Sequence, residues 1–166
     1  MPPRTRIKIA ALGLATMLAL PVLPAFAESK GLCGEPALEG HERKVVSVDH
    51  GKDGATLADT RVGRMVMRTA DGQVAGEAMW QATMIRNATD ARSDAYISDH
   101  VFQDDAGVMF GRALHDYAID FHNPEHRPDE VEVAILGGVG AYRNARGTVD
   151  IGLKGPPRYR FHVACE

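Results

Sequence analysis

The chain has 166 residues, 45% of them apolar, with 19 basic against 22 acidic side chains and a net charge of −3. An acidic surface repels phosphate backbones, and the basic residues Arg143, Arg146, Lys154, Arg158 and Arg160 are interleaved with strand-type residues instead of clustering, which argues against a nucleic-acid partner. Only two cysteines occur and they form no CxxC pair, which argues against a redox site.

Met1 to Ala27 reads as a secretory signal. Arg4, Arg6 and Lys8 give a basic start, Ile9 to Val22 is almost wholly apolar, and Ala25-Phe26-Ala27 presents small residues where a signal peptidase cuts. The apolar run is too short to span a bilayer comfortably, so the processed protein is expected to be secreted or periplasmic, with no membrane partner after cleavage. Cleavage leaves 139 residues, removes three basic residues and no acidic one, and takes the net charge to −6. That is one domain, residues 44–166, behind a leader, residues 28–43, that shows no period. Cys33 and Cys165 sit near the two ends of this processed chain, and in an exported protein they are expected to form one disulfide.

Alternation of period two begins at Lys44 and runs to His50, returns over Gly63 to Arg68, and continues over Gln73 to Ile85 after the hairpin signal Asp71-Gly72. Asp94 to Gln103 and Val108 to Tyr117 form a second hairpin about Asp104-Asp105-Ala106-Gly107, and Arg112 to Asp120 is the one window with helical character. Glu130 to Leu136, Thr148 to Ile151 and Arg160 to Cys165 complete the strands. Short strands at regular spacing with glycine turns predict an all-β barrel or sandwich, and closure is favoured because it removes exposed edges.

The stretch from Ala134 to Ile151 reads as strand, glycine bend, strand, with Gly137, Gly138 and Gly140 making the bend. It matches neither GxGxxG nor a P-loop. It resembles the GGTG…(F/Y)R.ARG segment of the allene oxide cyclase and dirigent proteins, with Val139 in the threonine position and Tyr142, Arg143, Ala145, Arg146 and Gly147 matching. The resemblance extends more weakly from about Val45 to Val163. It implies a small antiparallel eight-stranded β-barrel, lipocalin-like in shape, often homotrimeric, with an apolar ligand cavity. It also implies that Ser47 and Asp49 occupy the first-strand alternation that holds a glutamate and an asparagine in the cyclases, with the glutamate missing here. Asp49 and Arg146 further correspond to an aspartate and an arginine of the dirigent proteins.

Polar residues on strand faces are the candidates for chemistry, because the mouth of such a barrel is where they converge. Asp49 and Arg146 are the catalytic candidates: a carboxylate in an apolar pocket to take up a proton, and a guanidinium to clamp an anionic oxygen. Asp49 could equally cap the His50-Gly51 turn, and Arg146 could pair outward with Asp150 or Glu132. Ser47, Trp80, Tyr96, His100, Arg112 and Tyr142 are candidates for ligand contact. Tyr96, Ser98, His100 and Phe102 share one face, so His100 could pair with an Asp or Tyr across the hairpin. No metal or other cofactor is expected, since Pro124 breaks the helical spacing of the histidines in HNPEH, residues 122–126. Asn87-Ala88-Thr89 fits a glycosylation acceptor. The expected partner is one small apolar or aromatic molecule. The function this predicts is a binding barrel that promotes cyclisation or isomerisation, a carrier without catalysis, or an interaction protein whose cavity is filled by its own side chains.

Overall fold

The computed structural model describes residues 31–34, 36–51, 56–86, 95–116 and 129–165. Eight strands follow in chain order: β1 Ala37–Val48, β2 Thr60–Arg68, β3 Val74–Arg86, β4 Ala95–Asp104, β5 Gly107–Asp116, β6 Glu130–Gly140, β7 Arg146–Gly152 and β8 Arg158–Ala164. Each pairs antiparallel with the next and β8 returns to β1, so the sheet closes into a barrel. The expected segments at 1–27, 87–89 and 122–126 lie outside the described residues.

Strict alternation decides which side chains fill the barrel. In β8 Tyr159, Phe161 and Val163 are buried while Arg158, Arg160 and His162 face out, and in β6 Val131, Val133 and Ile135 point in. Phe102 of β4 lies at the centre, edge-on to Phe161 at 5.3 Å and to Tyr159 at 6.2 Å. Met65, Met67, Met109 and Val149 close around it.

One end of the barrel is plugged by the segment before β1. Gly34 exchanges two backbone hydrogen bonds with Val163, at 2.7 and 3.0 Å, and Cys33 is joined to Cys165 with 5.8 Å between their Cα atoms. Leu32 is thereby held over the core, almost fully buried. Its amide donates to the Tyr142 hydroxyl at 3.0 Å, and that hydroxyl donates to the Asp104 carboxylate. Asp104 in turn caps the β4–β5 turn through the amides of Ala106 and Gly107, at 2.8 and 3.1 Å. Burial and the Asp104 carboxylate push the Tyr142 hydroxyl above its ordinary pKa, so it stays a neutral donor.

Three expectations are corrected. The stretch with no period already contains strand: β1 starts at Ala37, and its alternation is broken by a bulge between His41 and Lys44, where Glu42 has φ 54°. Leu38 and Gly40 point in before the bulge, whereas Val45 and Ser47, paired with Gly63 and Arg61, point in after it. The glycines 137 to 140 are not the bend. β6 runs through all three, with a register shift at Phe110/Gly111, and the chain turns at residues 141–145. Arg112–Asp116, the described part of the helical window, is strand.

Gly138 shows what that glycine run does. A Cβ there would stand 2.2 Å from the Val108 carbonyl oxygen and 2.8 Å from Cβ of Tyr142, so only glycine lets β6 pass between β5 and the plug. Gly138→Ala is expected to cost about 1–3 kcal/mol, the range for overpacked cores, read as a lower urea midpoint. An unchanged midpoint would show that β5 yields freely there.

Candidate functional site

Towards the end opposite the plug the interior changes character. The inward residues of β4 are Tyr96, Ser98, His100 and Phe102, all buried, and those of β5 are Met109, Gly111, Ala113 and His115. Register places Tyr96 beside His115, Ser98 beside Ala113 and His100 beside Gly111. Ser98 therefore has His100 two residues along its own strand and His115 diagonally across. Its Oγ lies 2.9 Å from Nε2 of His100 and in hydrogen-bond contact with Nε2 of His115.

On the β3 side Trp80 is opposite His100 and Ala82 opposite Ser98. Trp80 lies over Gly63 of β2 so closely that a Cβ on Gly63 would fall 1.9 Å from the indole Cζ2; the missing side chain makes the seat for the ring. Arg43, exposed just past the β1 bulge, has its guanidinium 5.9 Å from the centre of the Trp80 ring. Its charge also acts on Tyr159, whose hydroxyl burial nonetheless pushes above the ordinary value.

Burial, then the neighbouring His115, hold His100 down to about 4, with Asp99 opposing. Burial lowers His115 as well. Both rings are neutral at neutral pH, so each has one nitrogen with a lone pair and one with hydrogen. The cluster is a pair of uncharged proton acceptors and donors in an apolar barrel, close to a flat indole and a cation.

The structure brings Trp80, Tyr96 and His100 to the interior on adjacent strands and places the other candidates elsewhere. Ser47 is exposed at the rim on the inward face of β1. Asp49 follows β1, exposed, and its Oδ1 accepts from the Gly51 amide at 2.9 Å, the turn role. Arg112 faces out and donates through Nε to Asp99 at 2.7 Å, a contact that raises its pKa. Arg146 is exposed at the plugged end, its Nη1 donating to the Ala145 carbonyl at 2.6 Å. Tyr142 belongs to the plug. Asp49 and Arg146 thus lie at opposite ends of the barrel and share no site. The residues that reasoning from sequence missed are Arg43, Ser98 as the bridge, and His115. The alternation Met109, Gly111, Ala113, His115 would have found the last of these.

Among the described residues no group of three or more His, Cys, Asp or Glu is placed to hold a metal ion. A separate surface groove of about 490 Å³ follows the β1–β8 seam. Its charged walls pair with one another, Arg160 with Glu130 at 2.6 Å and Lys154 with Asp129 at 2.6 Å.

No protein-family model matches the sequence, and no curated protein matches it. Solved structures do match. A pyocyanin demethylase is 23% identical with a TM-score of 0.63, the match covering 78% of this chain and 99% of that one. The Diels-Alderase AbmU from Streptomyces koyangensis is 10% identical with a TM-score of 0.55, covering 79% of this chain and 60% of that one. AbnU, an exo-specific intermolecular Diels-Alderase, is 9% identical with a TM-score of 0.52, covering 78% and 96%. At these identities the likeness is one of fold: a small eight-stranded barrel of the kind these proteins share with it.

Proposed function

We propose that this is an exported barrel that binds one small, flat, apolar or aromatic molecule against Trp80 and the Ser98, His100 and His115 cluster, and promotes its isomerisation or cyclisation. The observation that carries the reading is the cluster itself: hydrogen-bonded and uncharged, inside a barrel whose other fully buried side chains, among the described residues, are apolar or aromatic. A neutral imidazole can take a proton from carbon, and Arg43 beside the indole favours the enolate or phenolate oxygen that results. The enclosed site also holds a reactive conformer, which needs shape more than many polar groups. The basic, then apolar, N-terminus and the Cys33–Cys165 bridge support export. The likeness of Gly137 to Gly147 to the allene oxide cyclase and dirigent segment supports the substrate class, as do the names of the structural neighbours, one a demethylase acting on pyocyanin and two Diels-Alderases.

Trp80 is the only tryptophan, so intrinsic emission reports this site alone. Titration with pyocyanin as a flat aromatic probe should quench that emission with saturation. Ala113→Phe, which adds a ring beside Ser98, should weaken binding by about tenfold or more, the equivalent of 1.4 kcal/mol. Unsaturable quenching, identical in both proteins, would sink the reading. Native mass spectrometry of the purified protein then identifies what it carries.

A further inference from the structure

We propose that the free edge of β1 pairs with the same edge of a second copy of this chain, antiparallel and about a two-fold axis at Val46. The barrel closes between β1 and β8 at Ala37, Leu38 and Glu39 only. The Gly40 amide still reaches across to the Pro157 carbonyl, at 2.7 Å, and beyond it no strand among the described residues pairs with β1 on that side. On its other side β1 stays paired with β2 as far as Val48. Every residue from His41 to Gly51 is exposed. A long strand edge rich in β-branched residues and left open in this way is a template for another strand. Pairing here does not depend on the ligand reading above.

Backbone parity and side-chain chemistry together select one register. The Gly40 amide points to β8, so the peptide groups of His41 point to β2. His41 is opposite Val66 and Lys44 opposite Arg64, two residues apart on β2, so Lys44 also points its peptide groups to β2 despite the bulge between. Val46 and Val48 follow Lys44, which leaves the peptide groups of Val45 and Ser47 facing the open edge. Only edge-facing residues exchange hydrogen bonds, so Val45 stands opposite the partner's Val45, the partner's Ser47 or the partner's Asp49. The middle choice sets Val46 against the partner's Val46 and Arg43 against the partner's Asp49, twice by symmetry. The other two leave Arg43 against a serine or a glycine. Among the described residues Asp49 accepts from the Gly51 amide and Arg43 stands beside Trp80, and neither has an ion pair within its own copy. The same register aligns the outward face. Val62 neighbours Val46, so a row of four valines runs across both copies and covers side chains that are 64% exposed at Val46 and 46% at Val62. Glu42, Arg43, Lys44 and Asp49 sum to no charge, so two copies of an acidic chain meet there without repulsion. Each copy thereby supplies a carboxylate to the cation beside the other's Trp80.

Sedimentation of the full-length protein after export should show monomer and dimer in concentration-dependent exchange. Ser47→Pro removes an edge-facing amide and leaves the β1–β2 ladder whole, so it should abolish the dimer with little change in the urea midpoint of the dilute monomer. Arg43→Asp and Asp49→Arg should each weaken association on the order of a hundredfold, because like charges then face each other, and an equimolar mixture of the two should dimerise again. The native cysteines are bridged, so an added one is the single free thiol among the described residues. Val46→Cys, next to itself on the axis, should oxidise to a covalent dimer; Lys44→Cys, also exposed but facing the partner's Val48, should not. A wild type that sediments as a monomer at its highest soluble concentration overturns the pairing. So does a closed trimer, which an isologous edge pair cannot make. A dimer that survives Ser47→Pro, folded charge variants that associate as the wild type does or fail to recover on mixing, and equal cross-linking of the two cysteine variants each overturn it as well.

Discussion

Replacing Cys33 and Cys165 together by serine should lower the unfolding free energy by about 4–5 kcal/mol, one of the largest losses expected from any change outside the central core. The bridge closes a loop of 132 residues, so most of the chain's denatured-state freedom is restricted by it. The native state contributes in the same direction. The bridge ties Gly34 against Val163 and keeps Leu32 under Tyr142, and release of this segment uncovers the end of the core where Val163 and Tyr142 lie. Leu32→Ala separates the two effects, because it removes the plug's apolar contact and leaves the covalent link; its cost is expected at about 2–4 kcal/mol. Urea unfolding with and without reductant measures both. A double-serine protein within about 1 kcal/mol of the wild type would show that strand pairing alone holds the plug, since a loss that small is within the range of ordinary surface changes.

The same elements show which parts of the fold are legible in the sequence. β3 and β4 are antiparallel neighbours without a bulge between Glu77 and Met84, so parity holds along them and the inward set Ala78, Trp80, Ala82 and Met84 follows from simple alternation. The face Tyr96, Ser98, His100, Phe102 is recovered for the same reason. Parity fails where the chain inserts a residue. At Glu42 the inward set switches from even to odd numbers, which hides the first half of β1 and also Arg43, whose place over Trp80 depends on that switch. In β6 the glycines suggest a bend because glycine serves both bends and close strand crossings, and only the position of Tyr142 tells them apart. Arg146 lies at the exposed start of β7, ahead of inward Val149 and Ile151, so its motif position carries no information about which way it faces. The Ser98 bridge depends on diagonal neighbours across β4 and β5. Such neighbours follow from register, and register is fixed by the turn at Asp104 to Gly107 rather than by the pattern of either strand.

Acidification should destabilise the barrel between about pH 6.5 and pH 4, by roughly 3 kcal/mol from His100 alone. The sign follows from where the proton binds. In the unfolded chain His100 takes up a proton near 6.5, whereas in the fold burial and the nearby His115 hold it down to about 4. Through that interval the unfolded state carries the extra proton and gains from each fall in pH, so the stability present above 6.5 is lost steadily and levels off below 4. His115, lowered by the same burial, adds to the loss in the same direction. Half-buried Asp59 and exposed Asp71, whose pKa values are lowered by hydrogen bonds chiefly from the His50 amide and the Thr69 hydroxyl, contribute at the acid end, below the usual carboxylate range. The variant His100→Gln isolates the histidine contribution: it retains a group able to bond Ser98 but cannot titrate, so its urea midpoint should fall less steeply from pH 7 to pH 4.5. Equal slopes in the two proteins would mean that His100 is solvated and charged in the fold, and the reading of the cluster as a neutral base would go with it. If the slopes differ as expected, His100 stays uncharged in the folded protein from pH 7 to about 5.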